Sequence, residues 1–212
     1  YTKKLFLNEL NYDFDSTFML CDDFEIKSGS IAQVYKANIN NKSYAIKVVH
    51  PEIDYQLIFP IMFIKCYKYI VTNVKCLNKY DCVFIFDTFF NNLINQINMN
   101  TEFNNMTYFY NEYKDNDYIV IPKPIKSTKN ILIMEFVEGK KLDDISNSLI
   151  EKQKIVMLLN LFIKDNYHFK DFFHSDLHDS NWKVKKYKDF YQLIIYDFGY
   201  ISKNTLQETF KK

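Results

Sequence analysis

Arginine is missing altogether, so each of the 27 basic side chains in this 212-residue chain is a lysine. That excludes a guanidinium fork on any phosphate or carboxylate. A bound phosphate must rely on lysine, backbone N–H groups or a metal ion. Glycine is nearly as scarce, with only Gly29, Gly139 and Gly199. A chain that has shed so much glycine is expected to keep it at demanding backbone positions. Four prolines and one tryptophan exclude collagen-like or proline-rich segments. The cysteines, Cys21, Cys66, Cys76 and Cys82, contain no C-x-x-C pair and match no zinc spacing, so they read as free thiols in a reducing compartment. The longest apolar run, residues 57–64, contains Pro60 and stops at Lys65, far too short for a transmembrane segment. No signal peptide is visible, and an intracellular, cytoplasmic protein is expected. The 27 basic residues face 26 acidic ones, and a net charge of +1 gives no reason to expect nucleic acid as a partner.

What is abundant is Lys, Asn, Ile, Tyr and Phe, including 17 Tyr and 20 Phe. Their codons are rich in A and T, which suggests an AT-rich genome, that of a parasite, a symbiont or a large DNA virus. Hydrophobic residues at 48% and charged residues at 25% are ordinary for a globular chain.

Period-two alternation predicts strands at 24–27, 33–39 and 43–49, separated by Ser28-Gly29-Ser30 and Asn40-Asn41-Lys42. Residues 52–115 predict two or three helices, one of them around Phe84, Phe86, Phe89, Phe90, Leu93, Ile94 and Ile97. Strands follow at 118–121 and 131–136, with Pro122 and Pro124 between them. Helix is expected from Leu142 to about Phe172, then a polar loop over 174–181 and a strand near 193–196. The order predicts an α+β protein of two lobes: residues 1–136 with a five-stranded sheet plus helices, and 137–212 as a partial second lobe.

The chemistry-bearing residues fall in a fixed order. Lys47 sits inside the strand Tyr44-Ala45-Ile46-Lys47-Val48, and Glu102 on a later helix is its best partner. Asp176 and Asn181 are five apart on a loop, and Asp197-Phe198-Gly199 begins sixteen residues after Asn181. Protein kinases use this order: a strand lysine on phosphates, an Asp that positions the attacking hydroxyl, and an Asn and a second Asp on Mg²⁺. Oxygen ligands suit that cation.

The stretch Lys27-Ser28-Gly29-Ser30-Ile31-Ala32-Gln33-Val34-Tyr35-Lys36-Ala37 resembles the Ala/Ser-rich nucleotide loop of the UbiB-like atypical kinases. The resemblance extends through Ala45-Ile46-Lys47-Val48, Glu102-Phe103-Asn104-Asn105 and Leu132 to Gly139. It ends at Asp176 to Asn181 and Asp197-Phe198-Gly199, so it spans about residues 5–200. It implies a two-lobed protein-kinase-like fold, ATP and Mg²⁺ as cofactors, and phosphoryl transfer or ATP hydrolysis linked to lipid or quinone metabolism. Ser28, Gly29, Ser30 and Ala32 would cover the nucleotide, with Val34, Ala45 and Met134 around the base, and Glu135 and Val137 flanking it. Lys47, Glu102 and Asp176 would be the catalytic set, with Asn181 and Asp197 on the metal. The phosphoacceptor would be a lipid-pathway small molecule or a protein.

The chain also departs from that pattern. It has no Lys-x-Gly-Gln, it reads Asp176-Leu177-His178-Asp179-Ser180-Asn181 where the family has Asp-Pro-His-Pro-Gly-Asn, and 13 residues follow Gly199. A truncated helical second lobe is expected, with ATP hydrolysis ahead of protein phosphorylation. Three other readings are open: an aminoglycoside- or choline-type phosphotransferase, suggested by His174-x-Asp176-Leu177-His178; a nucleotide-binding pseudokinase; and a metallohydrolase with His174, Asp176 and His178 as ligands.

Overall fold

In the computed structural model, residues 1–11, 19–20, 26–73, 94–145 and 148–204 are described. Phe24 and Glu25 of the first expected strand, Cys21, Cys76, Cys82 and the aromatic run 84–93 lie outside the described residues.

After helix α1 (Thr2–Leu10) come strands β1 (Met19–Leu20), β2 (Lys27–Ser28), β3 (Ala32–Ile39) and β4 (Lys42–Val49). β3 and β4 join through two residues, Asn40 and Asn41, with φ of 48° and 60°, and Ile39 faces Lys42. Two successive positive φ values make the turn whose twist matches a hairpin, and asparagine tolerates them. Helices α2 (Ile53–Gln56), α3 (Ile58–Asn73) and α4 (Met99–Tyr113) follow, then β5 (Ile119–Val120), β6 (Pro124–Ser127) and β7 (Ile131–Glu135). The first sheet runs β1-β3-β4-β7-β6, with β2 paired to β3.

The remainder is α5 (Leu142–Ile145), α6 (Leu149–Phe169), β8 (Phe172–His174), β9 (Trp182–Tyr187), β10 (Phe190–Ile195) and β11 (Ile201–Lys203). β5-β10-β9 form a three-stranded sheet, and β8 pairs with β11. The α+β, two-lobed protein-kinase-like fold is the architecture observed.

Several expectations need correction. Among the described residues the first sheet has six strands where five were expected, and Ile119–Val120 is not among them: it pairs parallel to Leu193 and Ile194 of β10. β6 was hidden by Pro122 and Pro124. Pro124 opens it, and as an edge strand it needs no N–H there. Helix does not continue from Leu142 to Phe172: α5 stops at Ile145, α6 at Phe169, and Phe172–His174 is a strand. β9 falls between the loop expected at 174–181 and the strand expected near 193–196, where no element was expected. Its lysines alternate with the buried Trp182 and Val184 and then run out to exposed Tyr187.

Two apolar clusters hold these layers. Phe6 of α1 packs on Ala37, Ile46, Val48, Ile131 and Ile133 across one face of the first sheet. The larger cluster joins the other face to α4, β10 and α6, through Leu132, Met106, Phe109, Leu193, Ile195 and Phe162. α4 contributes the stripe Met99, Glu102, Met106, Phe109 and Tyr113, spaced three and four residues apart. Its N-terminus is capped by the Asn98 side chain, which accepts from Asn100 N–H at 3.1 Å. Glu102 is thus carried inward by an otherwise apolar face. Among the described residues no helix is long and apolar enough to cross a membrane.

Candidate functional site

A cleft of about 990 Å³ separates the first sheet from the β5-β10-β9 sheet. All the site residues expected from the sequence line it. Ser28, Gly29, Ser30, Ala32, Val34, Ala45 and Lys47 come from β2 to β4, Glu102 from α4, and Met134, Glu135 and Val137 from the end of β7. Asp176, Asn181 and Asp197 come from the loops around β8 to β10.

Glu102 is only 1% exposed, so its carboxylate must be compensated. Lys47 does this: Nζ donates to Oε2 at 2.8 Å and Oε1 at 3.0 Å. The same ammonium lies 3.3 Å from Asp197 Oδ2. Burial alone would lower the Lys47 pKa, but the carboxylates of Glu102 and Asp197 outweigh it and hold the ammonium above its usual range. Burial pushes the Glu102 carboxyl up, and Lys47 opposes that push. Burial also acts to raise Asp197, yet Lys47 and the Gly199 N–H together bring it below the ordinary carboxylate value.

Asp197 has φ of 55°, a left-handed backbone that turns the chain sharply after β10. The Gly199 N–H reaches back to its Oδ1 at 3.3 Å. Phe198 is fully buried against Phe109, with ring centroids 5.0 Å apart, and against His174 at 5.3 Å. His174 Nε2 donates to the Asp197 carbonyl at 2.8 Å, and its Nδ1 accepts from the Asp176 N–H at 3.2 Å. Burial lowers the His174 pKa, so the ring is neutral with its proton on Nε2. Both nitrogens are spent on backbone, which removes the metallohydrolase reading: His174 has no lone pair left for a metal. Its role is to join the Asp176 loop to the Asp197 turn.

Asp176 is half-exposed to the cleft, with His178 Nε2 at 3.7 Å from its Oδ2. Asn181 is buried and its amide nitrogen donates to the Asp176 carbonyl at 2.8 Å. What Asn181 can still offer is its amide oxygen. On the first sheet, His50 Nε2 bonds the Gly29 carbonyl at 2.8 Å and pins the loop.

Cleft residues to which the sequence reading gave no role of their own include Asn105, Lys27, Lys183 and Tyr196. Asn105 Nδ2 donates to the Phe198 carbonyl at 2.8 Å. Tyr196 hydroxyl donates to the Val137 carbonyl at 2.8 Å. Asn105 sits three residues from Glu102, a spacing that shares a helix face and was a usable signal. The others carried none.

The glycine expectation holds only in part. No glycine has positive φ. A Cβ on Gly29 would meet Ala32 O at 3.6 Å, an ordinary van der Waals contact. At Gly139 a Cβ would lie 2.7 Å from Ile194 Cδ1 and 2.8 Å from Lys183 Cβ, so this glycine is a packing requirement.

Comparison with known proteins adds relatives of the same kind. The chain is 26% identical over 194 residues to mouse AarF domain-containing protein kinase 1, covering 88% of this chain and 36% of that one. It is 24% identical over 219 residues to the yeast ABC1 family protein MCP2, covering 92% and 37%. It is 24% identical over 186 residues to the probable protein kinase UbiB of Shewanella denitrificans, covering 82% and 33%. The chain thus spans about a third of the length of these curated relatives. Among solved structures, Rv3197 of Mycobacterium tuberculosis, in its complex with erythromycin, superposes with a TM-score of 0.76 at 23% identity, over 95% of this chain and 51% of that one. The Rio2 kinase of Chaetomium thermophilum, in its ADP/Mg²⁺-phosphoaspartate complex, gives 0.55 at 14%, over 89% and 50%. Both show a shared fold. The family model that matches residues 1–212 in full is the ABC1 atypical kinase-like domain, and to that family the chain belongs.

Proposed function

We propose that the chain binds ATP with Mg²⁺ in this cleft and cleaves the terminal phosphoryl bond, with water ahead of a protein hydroxyl as acceptor. The observation that carries the reading is Lys47 held between Glu102 and Asp197 in a cleft that also collects Asp176 and Asn181.

In this reading residues 1–136 act as the first lobe and 137–212 as the second. Ser28, Gly29, Ser30 and Ala32 cover the phosphates. Val34, Ala45 and Met134 enclose the base, which Glu135 and Val137 flank. Lys47 holds the α- and β-phosphates, as an ammonium kept charged by two carboxylates. Asp197 and the amide oxygen of Asn181 are hard oxygen donors, the type Mg²⁺ requires, so the residues fit that ion. Bound there, it supplies charge neutralisation at the phosphates. Asp176 orients the attacking water or hydroxyl. Without arginine, no guanidinium clamps the transferring phosphoryl group, and Lys47 is the cation this reading sets on the phosphates. That is a modest electrostatic contribution and suits slow hydrolysis. A lipid-pathway small molecule is the other acceptor class for the same geometry.

The test combines thermal shift with phosphate release. ATP with Mg²⁺ should raise the melting temperature, since the ligand binds the folded state. Asp197→Asn should remove the metal-dependent part of that rise. Asp176→Asn should keep the shift and lose phosphate release. No shift at millimolar ATP, with or without Mg²⁺, defeats the proposal.

A further inference from the structure

In the loop between β2 and β3 the carbonyl groups are occupied while an N–H is left open. Gly29 N–H donates to the Ala32 carbonyl at 2.9 Å, and the Ile31 carbonyl accepts from the His50 N–H at 2.9 Å. His50 Nε2 donates to the Gly29 carbonyl at 2.8 Å, with Ser28 Oγ 3.3 Å from the same nitrogen. Residue 50 thus holds both the Gly29 and the Ile31 carbonyl, one through its ring and one through its backbone. Among the described residues the Ser30 N–H has no partner.

His50 directly follows β4, whose last residue, Val49, faces Ala32, so its backbone is fixed against the loop that its ring holds. No peptide bond among the described residues is cis. In a planar trans peptide the C=O and the N–H point in opposite directions. A Gly29 carbonyl drawn to His50 therefore sends the Ser30 N–H away from His50. Ser28, Gly29 and Ser30 line the cleft, and His50 is not part of that lining. Turned over, the same peptide would offer a carbonyl oxygen in place of the N–H, and its partial negative charge would repel a phosphate. Backbone N–H groups are what anion cradles in proteins present to their ligand. With no Cβ at Gly29, rotation of this peptide meets little steric resistance, so its orientation must be held from outside the loop.

We propose that His50 is a positioning residue for phosphate: its ring holds the Gly29–Ser30 peptide in the orientation that offers the Ser30 N–H to an anion in the cleft. The inference rests on the nucleotide reading and names the side chain that sets the polarity of the loop in it. The chain has no arginine, so backbone donors carry a larger share of any phosphate contact. His50 itself touches no phosphate; it acts through the peptide.

Calorimetric titration of the full chain with Mg²⁺-ATP and with adenosine, together with the ¹⁵N spectrum of the Ser30 amide, tests this. In the wild type Mg²⁺-ATP should move the Ser30 amide downfield. His50→Leu removes the donor: ATP affinity should drop about tenfold, the Ser30 response should vanish, and adenosine should bind as before. His50→Gln, whose side-chain amide can donate, should restore most of the ATP affinity. A Ser30 amide that ATP leaves in place in the wild type overturns the inference with no variant needed. So does a His50→Leu chain that binds ATP as the wild type does, or that loses ATP and adenosine in equal measure, the mark of a merely structural role. A wild-type chain that binds neither ligand defeats the nucleotide reading, and this inference falls with it.

Discussion

Asn105 donates its side-chain amide to the carbonyl of Phe198 at 2.8 Å, one helical turn from the glutamate that holds Lys47. One face of α4 therefore fixes two things together: the Lys47 ammonium through Glu102, and the Asp197 turn through Asn105. Asn105→Leu removes the second and orphans a half-buried carbonyl. Urea unfolding should show a loss of about 1–2 kcal/mol. The metal-dependent part of the ATP thermal shift should shrink with it, while the metal-free part stays. An unchanged metal response would mean that the turn is held by Phe198 packing alone.

The Lys47–Glu102 pair should respond asymmetrically to substitution. In Glu102→Gln the ammonium keeps Asp197 at 3.3 Å. In Lys47→Met, Glu102 is left buried with no cation, and removing one partner of such a pair costs about 3–5 kcal/mol. Burial already pushes the Glu102 carboxyl up. Without the lysine its folded-state pKa stands well above the unfolded value, so the folded state binds the extra proton. Stability of Lys47→Met should then fall as pH rises above the ordinary carboxylate range, more steeply than in the wild type, where Lys47 opposes the rise of the Glu102 pKa. Unfolding midpoints from pH 4 to 8 measure it. Lys47→Met/Glu102→Leu should recover much of the loss, because no uncompensated charge remains.

Much of this was legible in the sequence because the site is read along the chain. Lys47 is on an alternating strand, and Asp176, Asn181 and Asp197 lie at fixed spacings on loops, so order alone assembled them. Glu102 was found because a strand lysine in this order calls for a glutamate on the helix that follows. The failures have local causes. Pro122 and Pro124 signal a break, yet an edge strand tolerates proline at its first residue, and β6 formed there. The run Trp182 to Tyr187 looked polar because its lysines face solvent and cleft while only Trp182 and Val184 go inward. Parallel pairing of β5 with β10 joins residues 119–120 to 193–194, and local pattern carries no such long-range information. Lys27 and Lys183 escaped for the same reason: each alone reads as a solvated strand lysine.

Gly139 and Gly29 should not behave alike. Gly139→Ala places a methyl 2.7 Å from Ile194 Cδ1 and 2.8 Å from Lys183 Cβ, where neither packed stem can withdraw freely. Overpacking of this kind costs about 1–3 kcal/mol. Gly29→Ala makes only an ordinary contact with Ala32 O and has no positive φ, so it should be neutral or gain about 0.4–1 kcal/mol through the unfolded chain. Calorimetric melting of the two variants side by side measures the contrast. A melting point for Gly139→Ala equal to the wild type would show that the 137–141 connection shifts freely against β9.

His174 gives the chain a built-in acid sensitivity. Its ring is 8% exposed, stacked edge-on to Phe198, and bonded as a neutral tautomer to the Asp197 carbonyl and the Asp176 N–H. Burial lowers its pKa, while hydrogen bonds to the backbone at Tyr196 and Asp197 and the charges of Asp197 and Asp176 work the other way without prevailing. The folded pKa lies below the unfolded value of about 6.5. Between the two the unfolded state binds more protons, so stability rises with pH through that window and is lost as pH drops below about 6.5. Protonation would also place a donor at Nδ1 against the Asp176 N–H, which opens the link between the Asp176 loop and the Asp197 turn. Urea midpoints should therefore decline from pH 7 to pH 5 in the wild type. In His174→Gln, which keeps a donor and an acceptor but cannot titrate, the decline should be clearly smaller, although the midpoint at pH 7 is lower. Equal slopes in the two proteins would assign the acid sensitivity to the carboxylates instead.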